Sequence, residues 1–427
     1  MDQERCLGVA QLRRRTKLNG NPEMRFALKG ALLVAYNIAF VCAAFAVAEY
    51  TARKVAYGQL GSPGRQTELI LDRWTAFRNN PGYKSNGVQL NPQGFRQDRS
   101  VSVDKPADTV RIFFLGGSVA YGGETLYPEI DNRWRIDNRQ TIDHYLETRL
   151  NSAFPSKRWE VINASVKGYF LNQDLALFLS TIQRYEPDYL ILLDGVNDIF
   201  AMLRTPESED AYRAAGLGEE FSALTRPDAL SLRMMTTTWL ADNSALYRSI
   251  RESMAQRNRV RARRAIAGRS EAHLHPDFAS LTSDDQRHAG AATRRLDNYT
   301  HTVRQIHRLA ALDGIETLFV LQPHIAVTRK PLTGVETRLF DYWSKVDGPL
   351  YVYGFQTLYP QLSAQLTSAA QTEGYRFLDL TAAFDRTGVQ TFTDYCHLTP
   401  AGNQIIADAI FDSLAASLPT RNGNGAR

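Results

Sequence analysis

Cysteine is scarce in this sequence, with three residues among 427. Cys6, Cys42 and Cys396 lie in a basic leader, an apolar segment and a polar loop, and this placement shows no disulfide framework. Zinc-ligand spacings and basic stretches interleaved with aromatic residues are also missing, so the mild net charge of +5 does not indicate nucleic-acid binding. The sequence has no internal repeats. Its composition, 44% hydrophobic and 22% charged, is that of a globular protein with a sizeable core.

A long apolar run occurs near the N-terminus, at residues 30–48, and contains no charged residue. A helix of these 19 residues would be about 28 Å long, close to the thickness of a bilayer core. More positive charges precede the run than follow it, which favours an N-terminus inside the cell. We therefore predict a basic cytoplasmic leader over 1–29 and a single transmembrane helix over 30–48 in the inner (cytoplasmic) membrane, with the remainder extracytoplasmic, in the periplasm. A signal peptide cleaved after Ala46-Val47-Ala48 and a buried core helix are the alternatives.

Beyond this run, short strands and helices alternate. Strands are predicted at 112–115, 159–162, 188–193, 318–321 and 376–380, and amphipathic helices at 141–150 and 173–185. Such alternation predicts an α/β fold with a parallel sheet and helices on both faces. We expect this domain to span 105–420, after a stalk and lead-in over 49–104 that is rich in turn residues and before a tail over 421–427.

A polar, helix-rich insertion is predicted over 199–300. Its stretch 248–269 contains eight arginines and a single acid, Glu252. A solvated helix face accounts for this pattern, and contact with anionic headgroups or an acidic glycan is the alternative.

Ser118 directly follows the first predicted core strand and the pair Gly116-Gly117. The carboxyl ends of strands in open α/β sheets are where ligands bind, and the two glycines allow a sharp turn with space above the hydroxyl. The pattern therefore makes Ser118 a candidate nucleophile. The alternative is an ordinary turn in which Ser118 caps the next helix.

Asp394 and His397 lie near the C-terminus, just before a helix that Thr399 is expected to cap and Pro400 to begin. An acid three residues before a histidine on a tight loop can hold one ring nitrogen, which leaves the other free to take a proton from a hydroxyl. Acyl transfer needs this nucleophile, base and orienting acid. On its own, the pair is more typical of a surface histidine whose hydrogen bonds are satisfied.

Donors for a developing oxyanion are expected at three strand ends: the backbone N–H groups of Ser118 and Gly168 and the side-chain amide of Asn197. Turn and cap roles are the alternatives for Gly168 and Asn197. We expect Asp198 to brace its loop and Cys396 to serve in packing. His324, after the fourth strand, is a possible substrate contact or a structural residue.

Four blocks of this sequence resemble those of the SGNH (GDSL-like) hydrolase superfamily: 115–118, 163–168, 195–198 and 394–397. The resemblance covers roughly 105–420, and Gly-x-Asn-Asp together with Asp-x-x-His is its specific part. It implies a flavodoxin-like three-layer α/β/α sandwich, ester hydrolysis or acyl transfer, and neither a metal nor a cofactor. It also implies catalytic roles for Ser118, Gly168, Asn197, Asp394 and His397. The usual Gly-Asp-Ser is Gly-Gly-Ser here, so the turn is expected to be supported differently.

The predicted function is that of a membrane-anchored extracytoplasmic serine esterase. It would remove a short acyl group, most simply acetyl, from a carbohydrate or other cell-envelope ester through an acyl-enzyme on Ser118. A second hypothesis is an O-acetyltransferase of an exported polysaccharide, served by a membrane acyl-donor protein. A lipase or thioesterase and a non-catalytic binding scaffold are further alternatives.

Overall fold

The N-terminal apolar run forms a long helix, α1 (Pro22–Tyr57), in the computed structural model of the protein. The structure describes residues 22–57, 68–85, 87–123, 134–204, 236, 239–240, 243–267 and 274–416. Within α1, the segment Phe26–Arg53 is long and apolar enough to cross a membrane, and its most apolar window is not buried. A signal sequence near the N-terminus has the same properties. Residues 1–21 of the predicted leader and the predicted tail over 421–427 lie outside the described residues.

The larger of two structural units, Arg65–Ser231 with Asn258–Arg427, begins with two small antiparallel hairpins. They are β1 (Leu69–Asp72) with β2 (Ala76–Asn79), and β3 (Lys84–Ser85) with β4 (Val88–Gln89). The Tyr169 hydroxyl donates to the carbonyl of Phe77 at 2.6 Å, and the Asn79 amide donates to that of Ser165 at 3.0 Å. Both hairpins precede the predicted domain boundary at residue 105, in the segment whose turn residues suggested a linker. Side-chain hydrogen bonds attach them to the domain.

A five-stranded parallel sheet forms the core of this unit, in the order β6-β5-β7-β8-β9. Its strands are β5 (Thr109–Gly116), β6 (Arg158–Asn163), β7 (Tyr189–Asp194), β8 (Glu316–Leu321) and β9 (Arg376–Asp379). Numbered within the sheet alone, this is the 2-1-3-4-5 order of flavodoxin-like folds. Residues 112–115 have no exposed surface. This burial on both faces of the sheet explains why the strand is a continuous apolar run. The predicted α/β fold is confirmed.

Helices flank the sheet. Those of the larger unit are α2 (Ser118–Tyr121), α3 (Ile142–Ala153), α4 (Leu171–Leu177), α5 (Val196–Arg204), α7 (Ser283–Leu312), α8 (Gly334–Asp347), α9 (Pro349–Tyr353), α10 (Tyr359–Glu373) and α11 (Pro400–Ala415). A further helix, α6 (Ala245–Ala267), begins in the smaller of the two units. A π-helical turn (Phe178–Ile182) and a 3₁₀ turn (Gln183–Tyr185) continue α4 over the predicted helix. Helices α3 and α11 pack together, and α7 packs against α4 and α10.

Helix α7 crosses residue 300, where the predicted insertion ends. It is the last described helix before β8 and packs on that strand and on α5, so the predicted insertion over 199–300 ends within a helix that contacts the α/β domain. In α7 the apolar residues are interleaved with arginines and acids, so the sequence of this helix resembles that of the polar segment before it.

The smaller unit comprises Met1–Gly64 and Leu232–Arg257. In it, the Glu49 carboxylate near the end of α1 accepts hydrogen bonds from the backbone N–H groups of Ala245 and Leu246, at 2.8 and 3.0 Å. These residues open α6, which contains residues 248–267 of the arginine-rich stretch. A carboxylate at a helix N-terminus satisfies N–H groups that have no partner within the helix.

Candidate active site

Ser118 is the first residue of α2, immediately after β5. Gly116 has φ +138°, and a Cβ there would overlap the carbonyl oxygen of Leu193 on the neighbouring strand. A Cβ at Gly117 would lie 2.5 Å from the Asn197 amide nitrogen. The two glycines thus permit the turn by backbone conformation and by close approach respectively, and the turn leaves Ser118 partly exposed at the carboxyl edge of the sheet.

Asp394 and His397 form a locally closed loop before α11. Asp394 Oδ1 accepts hydrogen bonds from the backbone N–H groups of Cys396 and His397, at 2.9 and 2.8 Å, and Oδ2 lies 2.7 Å from His397 Nδ1. Burial alone would raise the pKa of the Asp394 carboxyl, but the charge of His397 and these hydrogen bonds hold the pKa below its usual value. Asp394 is therefore an ionised acceptor that fixes the orientation of the imidazole.

The same histidine contacts the serine from the other end of the chain. His397 Nε2 lies 2.7 Å from Ser118 Oγ. Thr399 caps α11 by accepting from the Gly402 N–H at 3.1 Å, as predicted, and this fixes the point at which the loop ends. The structure thus brings together the predicted nucleophile, base and acid in one hydrogen-bonded chain.

The three predicted oxyanion donors lie at the ends of β5, β6 and β7. Gly168 is exposed, and a Cβ there would meet only the Phe77 ring, at 3.8 Å. The Asn197 amide, on the first turn of α5, donates to the carbonyl of Tyr169 at 2.8 Å. Among the described residues, the N–H groups of Ser118 and Gly168 have no hydrogen-bond acceptor.

A family model for GDSL-like lipases and acylhydrolases matches residues 114–405, which is more than half of the chain. This chain belongs to the GDSL-like lipase/acylhydrolase family. It is therefore a GDSL-type ester hydrolase, and the predicted resemblance is confirmed. No match was found among curated proteins.

Several solved structures resemble this GDSL-type hydrolase at low identity. An α/β hydrolase, LAE5, from the metagenome of Lake Arreo is 14% identical, with 72% of this chain and 95% of that chain covered and a TM-score of 0.35. The acetylxylan esterase Axe2 from Geobacillus stearothermophilus is 12% identical (71% and 94% covered, TM-score 0.36). The acetyl xylan esterase AlAXEase is 12% identical (71% and 98% covered, TM-score 0.34). At these sequence identities and TM-scores, the substrates of these enzymes are not assigned to this chain.

His324 is placed differently from the predicted substrate contact. Its side chain is fully buried and stacks on the Phe355 ring at 3.8 Å, with Trp343 and Tyr395 beside it. Burial lowers the pKa of His324 to about 3, so the ring is neutral. A side chain without exposed surface does not touch substrate in this conformation, so of the two predicted roles the structure favours the structural one. A histidine after a core strand has the same sequence pattern whether it contacts substrate or packs in the core.

Cys396 lies between the acid and the base, and its thiol, with the side chains of Asp394 and His397, forms a cluster close enough to suggest metal ligands. The Nδ1 and carboxylate atoms of this cluster are already at hydrogen-bond distance from each other. Burial raises the pKa of the Cys396 thiol well above its usual value, which disfavours the thiolate that a metal would need. The arrangement therefore fits a hydrogen-bonded acid–base pair better than a metal site.

Two groups that support the site carried no recognised signal in the sequence. Arg96, which is almost fully buried, donates from Nη1 to the carbonyls of Tyr121 and Gly122, both at 2.6 Å, and so fixes the end of α2. The Asp194 carboxylate accepts from the N–H of Gly117 at 3.2 Å. Asp194 directly precedes the Gly-x-Asn-Asp block. An acidic residue at the end of an apolar strand is the feature of the sequence that could have indicated its role.

Proposed function

We propose that this protein is a membrane-anchored serine esterase that removes a short acyl group, such as acetyl, from a carbohydrate or other cell-envelope ester. The observation that carries the proposal is the continuous chain from Asp394 through His397 to Ser118, with 2.7 Å at each link. Because Asp394 holds Nδ1 of the imidazole, Nε2 is the nitrogen that takes the serine proton. Membership of the family supplies the reaction class.

In the proposed mechanism, His397 Nε2 removes the Ser118 proton as Oγ bonds to the ester carbonyl carbon. The tetrahedral intermediate then collapses, its bond to the alcohol oxygen breaks, and the imidazolium returns the proton to the departing alcohol. Water attacks the resulting acyl-enzyme with His397 again as the base. Release of the carboxylic acid restores Ser118.

The oxyanion of this intermediate would be bound by the N–H groups of Ser118 and Gly168 and by the Asn197 amide. The first two have no other acceptor in the described part of the chain. Asn197 uses one amide hydrogen on the Tyr169 carbonyl, which orients the second. Such donors are fixed before the reaction, so their reorganisation does not add to the barrier.

The location of the enzyme is a separate part of the proposal. Helix α1 would cross the inner membrane once, with the catalytic domain in the periplasm, because its apolar segment is unburied and basic residues precede it. Carbonate extraction of membranes that contain the full chain tests this. We expect retention with the membrane; a released protein that begins at Glu49 would instead show a cleaved signal sequence.

Hydrolysis of p-nitrophenyl acetate by the full-length protein in detergent tests the chemistry. Ser118→Ala should abolish turnover, whereas Ser152→Ala, an exposed serine on α3, should leave it unchanged. Mass spectrometry after fluorophosphonate treatment should locate the label on Ser118. Acetylation of an added polysaccharide at the expense of hydrolysis would favour the O-acetyltransferase instead. Wild-type turnover that survives in Ser118→Ala would refute the proposal.

A further inference from the structure

Three carboxyl groups lie buried beneath the turn that presents Ser118. Asp174 on α4 is 0% exposed, Asp194 at the end of β7 is 2% exposed, and Asp198 on α5 is 8% exposed. Within the described ranges, none of the three forms an ion pair with a basic side chain. Burying an unpaired carboxylate is costly, so these groups need another means of stabilisation.

Asp194 is attached to the turn itself. Its Oδ1 accepts the N–H of Gly117, the residue before Ser118, at 3.2 Å. Gly117 is the N-cap residue of α2, and no side-chain cap hydrogen bond is present at this helix start. Asp198 has a different contact, because its Oδ1 accepts from the Leu171 N–H at 3.3 Å. Asp194 is thus the carboxyl group that links β7 to the nucleophile turn.

The carboxyl groups of Asp174 and Asp194, both buried, interact with each other. Both oxygens of Asp174 and Oδ2 of Asp194 have no hydrogen bond of standard length and angle to the described residues. Burial raises the pKa of both carboxyl groups, and the adjacent Asp174 raises that of Asp194 further. Two adjacent buried carboxyl groups do not ionise together, and one retained proton gives them a donor and an acceptor.

We propose that Asp174 and Asp194 share one proton and that this pair positions the Ser118 turn, with Asp194 as the positioning residue. The inference rests on the proposed role of Ser118. The proton fixes the orientation of the Asp194 carboxyl, and the other oxygen of that carboxyl holds the Gly117 N–H. This in turn fixes the backbone that carries Ser118, and with it the position from which Ser118 Oγ approaches His397.

The pair also accounts for the departure from the usual Gly-Asp-Ser. A side chain at position 117 would displace the Asn197 amide, since even a Cβ there lies 2.5 Å from its nitrogen. An acid from another element supports this turn without that displacement. In this chain it comes from β7, the strand hydrogen-bonded to β5.

Two substitutions at one position separate positioning from bulk stability. In Asp194→Asn the amide oxygen can still accept the Gly117 N–H, whereas Asp194→Ala removes the acceptor. With full-length protein in detergent and p-nitrophenyl acetate, we expect Asp194→Ala to lower kcat by tenfold or more with KM within about twofold, because small displacements of a nucleophile are costly. Asp194→Asn should lose less than about threefold. Active-site titration with a fluorophosphonate normalises each rate to reactive enzyme, and Ser152→Ala is the control.

Infrared difference spectroscopy reads the shared proton directly. The wild-type protein at pH 7 should show more protonated carboxyl absorption than the double variant Asp174→Asn/Asp194→Asn. An equal loss of titrated kcat in Asp194→Asn and Asp194→Ala, or no infrared difference, would overturn the proposal. If Asp194→Ala does not fold, the Asn variant and the spectrum still decide. Failure of the proposed function would appear separately, as wild-type protein without fluorophosphonate label on Ser118.

Discussion

Removing the buried carboxylate of Glu336 should destabilise the protein and impair the acid–base loop together. Glu336, in the first turn of α8, and Lys330 both have side chains with no exposed surface and form an ion pair at 2.6 Å. Glu336 Oε1 also accepts the backbone N–H groups of Thr391 and Phe392, at 2.9 and 3.1 Å. The lysine donates to the Val389 carbonyl at 2.8 Å. One ion pair therefore holds the strand-like segment that leads into the catalytic loop.

The magnitude follows from this burial. Breaking a buried ion pair by removing one partner costs about 3–5 kcal/mol, because the remaining charge is left unpaired. Glu336→Ala also leaves the two backbone N–H groups without their acceptor. Since whole domains are stable by only about 5–15 kcal/mol, this variant should lose a large part of its stability. Adding Lys330→Met to Glu336→Ala should recover part of the loss, because it removes the unpaired charge.

Urea unfolding of the full-length protein in detergent, followed by tryptophan fluorescence, measures these effects. Arg99→Ala is the matched control: it breaks an ion pair with Glu147 at 2.7 Å in which the arginine is 45% exposed, and it should cost less than about 1 kcal/mol. If Glu336→Ala costs no more than Arg99→Ala, the reasoning from burial is refuted. The same holds if the double variant is no more stable than Glu336→Ala.

The pH dependence has a definite sign. Burial opposes ionisation of Glu336, but Lys330 and the backbone N–H groups outweigh it and lower the pKa of Glu336 below 4.5. A lowered carboxyl pKa contributes stability that is fully present above the unfolded-state pKa and is lost as the pH falls through the folded-state pKa. The difference in stability between wild type and Glu336→Gln should therefore shrink below pH 4.5 and stay constant between pH 6 and 8.

Three further outcomes are expected. Asn197→Ala should lower kcat by about 10²–10³ in steady-state assays if its amide binds the oxyanion, and an unchanged kcat would remove it from that role. Arg96→Ala leaves three backbone carbonyls, those of Tyr121, Gly122 and Ile136, without their donor and should cost about 2–4 kcal/mol in urea unfolding. A loss no larger than that of Arg99→Ala would be the contrary result. Cys396→Ser should keep kcat within a few fold, because the buried thiol with its raised pKa takes no part in the reaction; inactivation would contradict this.

The parts of the site predicted from sequence are those set by short-range chemistry. An apolar run that ends in two glycines predicts β5 and the turn at Ser118, and Thr399 with Pro400 predicts where α11 begins. Asp394 and His397 are three residues apart, so their hydrogen bond depends on one loop. Whether Ser118 and His397 meet could not be predicted this way, since it depends on the packing of α3 and α11 against the sheet.

The residues that sequence reasoning missed act over long sequence distances. Arg96 fixes backbone 25 and 26 residues away, and Asp194 binds a backbone N–H 77 residues away. Neither residue lies on a periodic face or in a pattern of ligands, because each bonds to backbone groups that are distant in the sequence. His324 is a case that the sequence left open, because a histidine at a strand end predicts either a substrate contact or a structural role; its packing on Phe355 favours the structural role.

Ser118 and His397 are 279 residues apart in the sequence, and this separation has a consequence for biogenesis. In the proposed mechanism, a growing chain that has completed β5 to β8 still has no general base. Hydrolytic capacity arises only when the last loop and α11 have been synthesised and have docked on α3. The enzyme would therefore remain inert towards esters throughout its synthesis and transport, and the recovery of turnover during refolding would time the docking of the C-terminal helix rather than the collapse of the chain.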